Sequence, residues 1–544
     1  MVDQAEASTA RAAVFDPSTP SSTLAAIAAR HPGWRGLIRE HPNADAALRA
    51  WLDQAGPPTA DEVAAAQTAA PRPVTYVRRF APPSGPPAYL ADEDEVPPSR
   101  PRGVIIAVVA LILALIAAGV AWKLLWPARD IAPWSLVLGD QSDEIFTAVA
   151  IAPDGSIAVV GSTTSLGGVF PLAYPGGEPD AVLARFTAEG VMVWSQVLGG
   201  TGSDLLTGVA FTPDGGIVAV GQTDSTEGDL VCGLGLTCGV LAKLSAGGTV
   251  EWITTTAKNT TVSALAVDAE GTILAVGTAS RDEGDSDAVL IAFSGDGAVA
   301  WTKYYGGEGS DSFTGLAIAD DGQIVVVGTT DSWNGDFPMP QTAPDDLVWQ
   351  GSGVIARLAP DGALLWARTF AATEPAGLTA VTLLDDGDIL ACGYTWSIRE
   401  FETDGVIYMA YMTASVLVKL SPAGQTLWTR TPDGADDNLN AVAAAADGTI
   451  ITAGLSVVPL ESPPTQDGPC NQVAVSAYSP DGVRLWSRSL GTPEGYAWAS
   501  GLALARDGDI VIVGSAYDST GTDFPPSHGG ADALLARLNP DGTP

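Results

Sequence analysis

The feature that most limits how this chain can fold is a rhythm of tryptophans and tight turns running through everything after residue 130. Tryptophan recurs at Trp134, Trp194, Trp252, Trp301, Trp366, Trp428 and Trp486. Each one after the first closely follows a turn signal: Glu189-Gly190, Gly247-Gly248, Asp296-Gly297, Asp361-Gly362, Ala423-Gly424 and Asp481-Gly482. A second set of turns lies downstream of each tryptophan, at Asp154-Gly155, Asp214-Gly215, Glu270-Gly271, Asp321-Gly322, Asp386-Gly387, Asp447-Gly448 and Asp507-Gly508. Between the turns lie short β-type runs such as GIVAVGQT, QIVVVGTT and AVLARF. An Asp-Gly dipeptide between such runs signals a hairpin whose two central residues take positive φ. Each unit thus reads as four strands: a VA strand, a VVG strand, an LAR strand and a tryptophan strand. Seven such units predict an all-β seven-bladed β-propeller over residues 131–544.

Chain order gives the propeller two unlike faces. With the VA strand innermost and the tryptophan strand outermost, both sets of Gly turns fall on one face. The opposite face then carries the crossings between units and the variable loops Leu166–Asp180, Asp224–Gly239, Ser332–Gly353, Trp396–Ser415, Ser456–Gln472 and Tyr517–Asp532. Variable loops on a rigid scaffold are the usual seat of binding. The chain ends in LARLNPDGTP, where earlier units continue into a tryptophan strand, and Trp134–Leu138 is such a strand without its preceding three. It is expected to complete the last unit and close the ring.

The repeat also resembles a known family. The stretches TTSLGGVFP, TTDSWNGDFP and SAYDSTGTDFP carry Phe170-Pro171, Phe337-Pro338 and Phe524-Pro525. They continue as DAVLARF or DALLARLNPDG, and the units cross over as WSQVLGGTGSD or WTKYYGGEGSD. Together these elements resemble the bacterial β-propeller repeat of SBBP type, which implies a surface or exported propeller of largely uncharacterised role. Units three, five and six lack Phe-Pro, and unit five has AATEPAG in place of the GGxGSD turn.

Ahead of the repeats lies Val104 to Trp122, VIIAVVALILALIAAGVAW, with no charged residue in it. Nineteen helical residues span roughly 28 Å, close to the hydrocarbon thickness of a bilayer. The run is apolar on all sides and bracketed by Pro101 and Pro127, so residues 103–126 are expected to form a single transmembrane helix. Arg72, Arg78 and Arg79 weight the flanking charge toward the N-terminal side, which predicts a cytoplasmic N-terminus and an extracellular propeller at the plasma membrane.

Residues 1–56 contain short helical stretches divided by proline turns, and 57–102 form a proline-rich spacer expected to be disordered. The run DPSTPSSTLAAIAARHPGWRGLIREHPNADAALRAWL resembles the variant leucine-rich repeat module found at the N-terminus of many actinobacterial proteins. That resemblance implies a small all-α module with no activity of its own, open to a cytoplasmic partner. His31 and His41 fall in its turns and read as structural.

The chain has a net charge of −37. Only 13 of its 63 acidic residues precede residue 131, against 12 of its 26 basic ones, so the repeats carry nearly all of the imbalance. Such a surface repels nucleic acid and anionic headgroups. It suits divalent cations, of which Ca²⁺ is a candidate cofactor. Asp143, Asp204 and Asp311 end the GGxGSD-like crossings, where they either contribute to a Ca²⁺-binding rim or cap the crossing. Cys232 and Cys238 bracket a short glycine-bearing loop that can close as a disulfide, while Cys392 lies in a strand-like run. The body holds a single histidine, His528, so histidine-based catalysis has almost no raw material. Trp333, Trp349, Tyr394, Trp396, Tyr408 and Tyr411 gather in the connections of units four and five and could anchor a protein or glycan. The sequence therefore favours a surface binding, adhesion or scaffold module. The alternative is an extracytoplasmic enzyme, carboxylate-based or quinone-dependent.

Overall fold

The computed structural model describes residues 131–544 apart from 175–177, 234–235, 282–284, 338–350, 371–375, 404–405, 432–437, 459–469, 493–494 and 518–522. The helical module, the spacer and the membrane helix expected over 1–126 lie outside the described residues. Among those described, no helix is long and apolar enough to cross a membrane.

What is described is all β. The first strand, β1 (Trp134–Leu138), stands apart from its sequence neighbours. Next come β2 (Glu144–Ile151), β3 (Ile157–Thr163), β4 (Asp180–Phe186) and β5 (Met192–Leu198), which form one antiparallel sheet in chain order. β6 (Asp204–Phe211), β7 (Ile217–Thr223), β8 (Cys238–Leu244) and β9 (Val250–Lys258) repeat the pattern. So do β10 (Thr260–Val267), β11 (Ile273–Ser280), β12 (Ser286–Phe293) and β13 (Val299–Tyr305), joined to the preceding four by one parallel pair, Thr260 with Cys238. Three more four-stranded sheets follow. They are β14 (Asp311–Ile318), β15 (Ile324–Thr330), β16 (Ser352–Leu358) and β17 (Leu364–Phe370); then β18 (Ala376–Leu383), β19 (Ile389–Thr403), β20 (Val406–Leu420) and β21 (Thr426–Arg430); then β22 (Asn438–Ala444), β23 (Ile450–Val458), β24 (Cys470–Tyr478) and β25 (Arg484–Leu490). β26 (Tyr496–Leu504), β27 (Ile510–Tyr517) and β28 (Asp532–Leu538) take β1 as their fourth strand, with Trp134 opposite Arg537 and Leu138 opposite Ala533. The arrangement is propeller-like.

A single backbone device shapes the first strand of every sheet. The register of β2 on β3 slips between Phe146 and Ala148, leaving Thr147 as a β-bulge. The same slip recurs after Leu206, Val262, Phe313, Leu378, Leu439 and Ala499. The extra residue bridges to the next sheet: Thr147 Oγ1, 3.1 Å from Val160 O of its own sheet, donates to Leu206 O at 2.6 Å, and Thr207, Thr314 and Thr379 reach Val262, Leu378 and Leu439 in the same way. Asn440 Nδ2 donates to Ala499 O at 2.8 Å. Five of the bulges thus stitch a first strand to the next sheet's first strand, and β10 packs on β14 and β26 on β2. Opposite every bulge sits the glycine of the VVG run. A Cβ on Gly161, Gly328 or Gly514 would collide with the carbonyl of Ile145, Ser312 or Trp498, so only glycine fits.

At the outer edge the tryptophans hold neighbouring sheets together. Trp134 Nε1 donates to Ala188 O at 3.0 Å, Trp194 to Ala246 at 3.1 Å, and Trp366 and Trp428 to Pro422 and Pro480 at 3.2 Å. Each acceptor belongs to the next sheet's last hairpin, whose glycine lies against the indole face, as Gly190 does on Trp134 and Gly542 on Trp486. The basic residue of the LAR strand holds the other hairpin: Lys243 meets Asp214 at 2.7 Å, and Arg537, only 2% exposed, meets Asp509 at 2.8 Å. Between sheets the apolar faces interleave, Val160 and Leu183 of one packing with Leu206 and Val240 of the next.

The hairpins differ from the sequence expectation in one respect. Only the glycine takes positive φ, as in Gly155 at 85°, and among the described residues the one non-glycine residue to do so is Asn259. Gly155 N–H bonds to Ala152 O, Ala152 N–H to Ser156 O, and Asp154 caps Ser156 N–H at 2.9 Å. This is a three-residue loop closed by a left-handed glycine, and the aspartate is chosen for its side chain rather than its backbone.

Candidate functional site

The six aromatics singled out in the sequence fall in different settings. Trp333 follows β15 and is 57% exposed. Tyr394 is half-buried in β19, with its ring close to Gly377. Trp349 lies outside the described residues. Trp396, Tyr408 and Tyr411 are not in a loop at all. The segment Trp396–Ser415 is a continuous antiparallel ladder: Trp396 pairs with Thr413, Ile398 with Tyr411 and Phe401 with Tyr408, out to Thr403 with Val406. The signal was present in the runs of aromatic and β-branched residues on either side of Asp404-Gly405. β18 reaches only Thr395 and β21 only Leu417, so among the described residues the outer pairs form a two-stranded ribbon whose two edges have no partner strand.

The three aspartates are not equivalent either. Asp204 and Asp311 open β6 and β14 and are fully buried, whereas Asp143 is exposed and its Oδ1 accepts Ala531 N–H at 2.9 Å. The buried position in the first sheet belongs to Glu144, 1% exposed. Counting from the crossing glycine explains the slip: Gly139, Gly199 and Gly306 each precede their buried carboxylate by the same interval, and the motif-ending Asp143 stands one residue short.

Around each buried carboxylate the same cradle recurs. Asp204 Oδ2 accepts Gly200 N–H at 2.9 Å and Ser225 Oγ–H at 2.8 Å; Asp311 Oδ2 accepts Gly307 N–H at 3.0 Å and Ser332 Oγ–H at 2.7 Å. Glu144 accepts Asp140 N–H at 3.1 Å and Thr163 Oγ1–H at 3.0 Å. A second carboxylate, at the start of the preceding sheet's third strand, completes each pair: Asp180 for Asp204, Asp287 for Asp311 and Asp532 for Glu144. The crossing glycine is wedged against them, so that a Cβ on Gly139 would strike both Asp532 and Glu144.

These pairs are costly where they sit. Burial, outweighing the hydrogen bonds, pushes Asp204 up to about 6 and raises Asp180, Asp311, Glu144 and Asp532 above their ordinary values. One oxygen on each of Asp180, Asp204, Asp311 and Asp532 is buried with no hydrogen-bond partner. Among the described residues, no three His, Cys, Asp or Glu side chains converge as a ready metal cage.

Beside the first of these pairs, Cys232 and Cys238 form a disulfide, while Cys392 is a buried free thiol pushed up to about 12 by burial. The sequence missed one equivalence nearby. Cys232 N–H bonds Ser225 O as Leu172 N–H bonds Ser165 O, both at 2.8 Å, which puts Leu230 where Phe170 stands. Unit two also lacks Phe-Pro, and a fully buried Leu230 fills the space.

Several solved structures are similar at low identity. The polysaccharide lyase Uly1 is 13% identical, with a TM-score of 0.42, covering 74% of this chain and 91% of its own. The Neurospora crassa Pan2 WD40 domain is 11% identical, with a TM-score of 0.40, covering 76% and 99%. YCF48 bound to a D1 peptide is 10% identical, with a TM-score of 0.38, covering 76% and 96%. At these scores no argument about this chain rests on them. No curated protein matches the sequence. Residues 8–68 match the Leucine Rich Repeat Variant domain, reaching past residue 56 into the proline-rich spacer.

Proposed function

We propose that residues 131–544 are a closed seven-bladed propeller of SBBP type that serves as a binding or scaffold module. In this reading the apolar run Val104–Trp122 anchors it in the plasma membrane, with the variant leucine-rich module inside the cell and the propeller outside. Its partner is an extracellular protein or glycan, and the N-terminal module has a cytoplasmic partner of its own. The observation that carries the reading is the β19–β20 ribbon. A two-stranded hairpin is marginal alone, and its open edges invite pairing with another chain. Its sequence adds Trp396, Phe401, Tyr408 and Tyr411, residue types that dominate binding interfaces.

The test is to shorten the ribbon by replacing residues 396–413 with an Asn-Gly turn, so that Thr395 runs into Ala414. The propeller should melt as before. Capture of secreted proteins or cell-wall glycans by the full chain should be lost. Undiminished capture would remove the ribbon from the interface, and with it the ground for this reading.

A further inference from the structure

The three carboxylate pairs have the same cradle but unlike surroundings. At the Asp287–Asp311 pair, the Arg281 guanidinium bonds Asp287 through Nε at 2.6 Å and through Nη2, and reaches Gly307 O at 2.9 Å with Nη1. At the Asp532–Glu144 pair, His528 gives Asp532 its backbone N–H, and its Nδ1 lies 3.2 Å away. Two of the three sites therefore hold a side chain that is, or can become, a cation. At the Asp180–Asp204 pair the matching contacts are backbone N–H groups, that of Tyr174 lying 2.9 Å from Asp180 Oδ2 with those of Ala173 and Gly200 also on Asp180. Among the described residues no cationic side chain meets the pair. Both Asp180 Oδ1 and Asp204 Oδ1 are buried there without a partner.

We propose that the Asp180–Asp204 junction binds a Ca²⁺ ion that takes the place Arg281 fills at the Asp287–Asp311 junction. Two fully buried carboxylates, each with a spare oxygen, offer a hard cation its preferred ligands. The Ser225 hydroxyl lies on the same carboxylate, and Asp229 stands exposed at the mouth, close enough for its charge to act on Asp180. Asp229 N–H also bonds Gly199 O at 2.8 Å, which ties the mouth to the crossing glycine. Mg²⁺ keeps several of its waters and demands near-octahedral geometry, so a buried carboxylate pair favours the larger ion. Bound there, the ion links β4, β6 and the connection between β7 and β8. The assignment stands apart from the ribbon and does not depend on any partner.

The experiment is calorimetric titration of the full chain, in detergent and stripped with EDTA, with CaCl₂ alone. One saturable site per chain is expected, together with a higher melting temperature. Asp180→Asn and Asp204→Asn should each abolish that site while melting in EDTA no lower than the parent, because the amide keeps the shape and removes the repulsion. Asp287→Asn should leave the titration unchanged. The proposal falls if Ca²⁺ gives neither heat nor a melting shift at millimolar concentration, or if both Asn variants still bind. It also falls if acid alone stabilises the junction and Ca²⁺ adds nothing, since the pair would then be sharing a proton.

Discussion

Gly328 shows how much a single position can carry. It lies opposite the bulge at Thr314, and a Cβ there would meet the Ser312 carbonyl. Gly328→Ala must therefore move backbone rather than a flexible side-chain tip. We expect it to cost about 1–3 kcal/mol or more, read as a lower urea midpoint at unchanged slope. An unchanged midpoint would mean that the bulge can relax. The VVG glycine was visible as a repeated letter in the sequence, but its reason was not. The bulge that requires it leaves no mark in period-two alternation, because Thr147 or Thr314 reads as an ordinary strand residue.

Glu144 makes a pH prediction at the same scale. Burial raises its folded-state pKa above the ordinary 4.5, with Asp532 adding to the effect. A carboxyl raised on folding binds its proton more readily in the native state. Its contribution is thus fully present below 4.5 and is lost as pH rises through the raised value. In EDTA, the melting temperature should climb as pH falls from neutrality toward 4.5, and Glu144→Gln should flatten that climb. An identical pH profile in the two proteins would remove Glu144 as the source. The sequence singled out Asp143 because it ends a motif, whereas the strand register decides which carboxylate is buried.

Among the elements, the four strands of each unit and their hairpins were legible. Alternating apolar runs bounded by Gly turns leave few other readings, and the tryptophans marked the fourth strand of every sheet. What the sequence could not give was extent. β19 and β20 run to 15 residues each, beyond where their neighbours stop, and a long connection in a repeat protein reads as a loop by default. The carboxylate pairs were hidden for a related reason. Asp180 and Asp204 belong to different sheets, and only the crossing at Gly199 brings them face to face.

At the scale of the whole body, the join between its ends was legible as an unfinished unit at one terminus and a spare strand at the other. β1 supplies that strand, and Val137 is buried in it against Leu534 and Leu490. Val137→Asp places a charge in an apolar seam without changing any other sheet. It should lower the melting temperature of the full chain by several degrees, consistent with a cost of a few kcal/mol for an unpaired buried charge. A normal melt would show that the three-stranded remainder suffices and that β1 is dispensable.

The pairing of β1 with β28 also sets a timetable for biosynthesis. Of the described strands, β1 leaves the ribosome first and its partner leaves last. At typical bacterial to eukaryotic elongation rates the interval is roughly 20–80 s. Throughout it, Leu136, Val137 and Leu138 have no sheet to join, and every later sheet must form beside a seam that stays open. A chain that stalls shortly before Asp532 can assemble most of its sheets but cannot fasten the last to the first. Synthesis of β28, rather than any local folding step, is what commits this body to its final form.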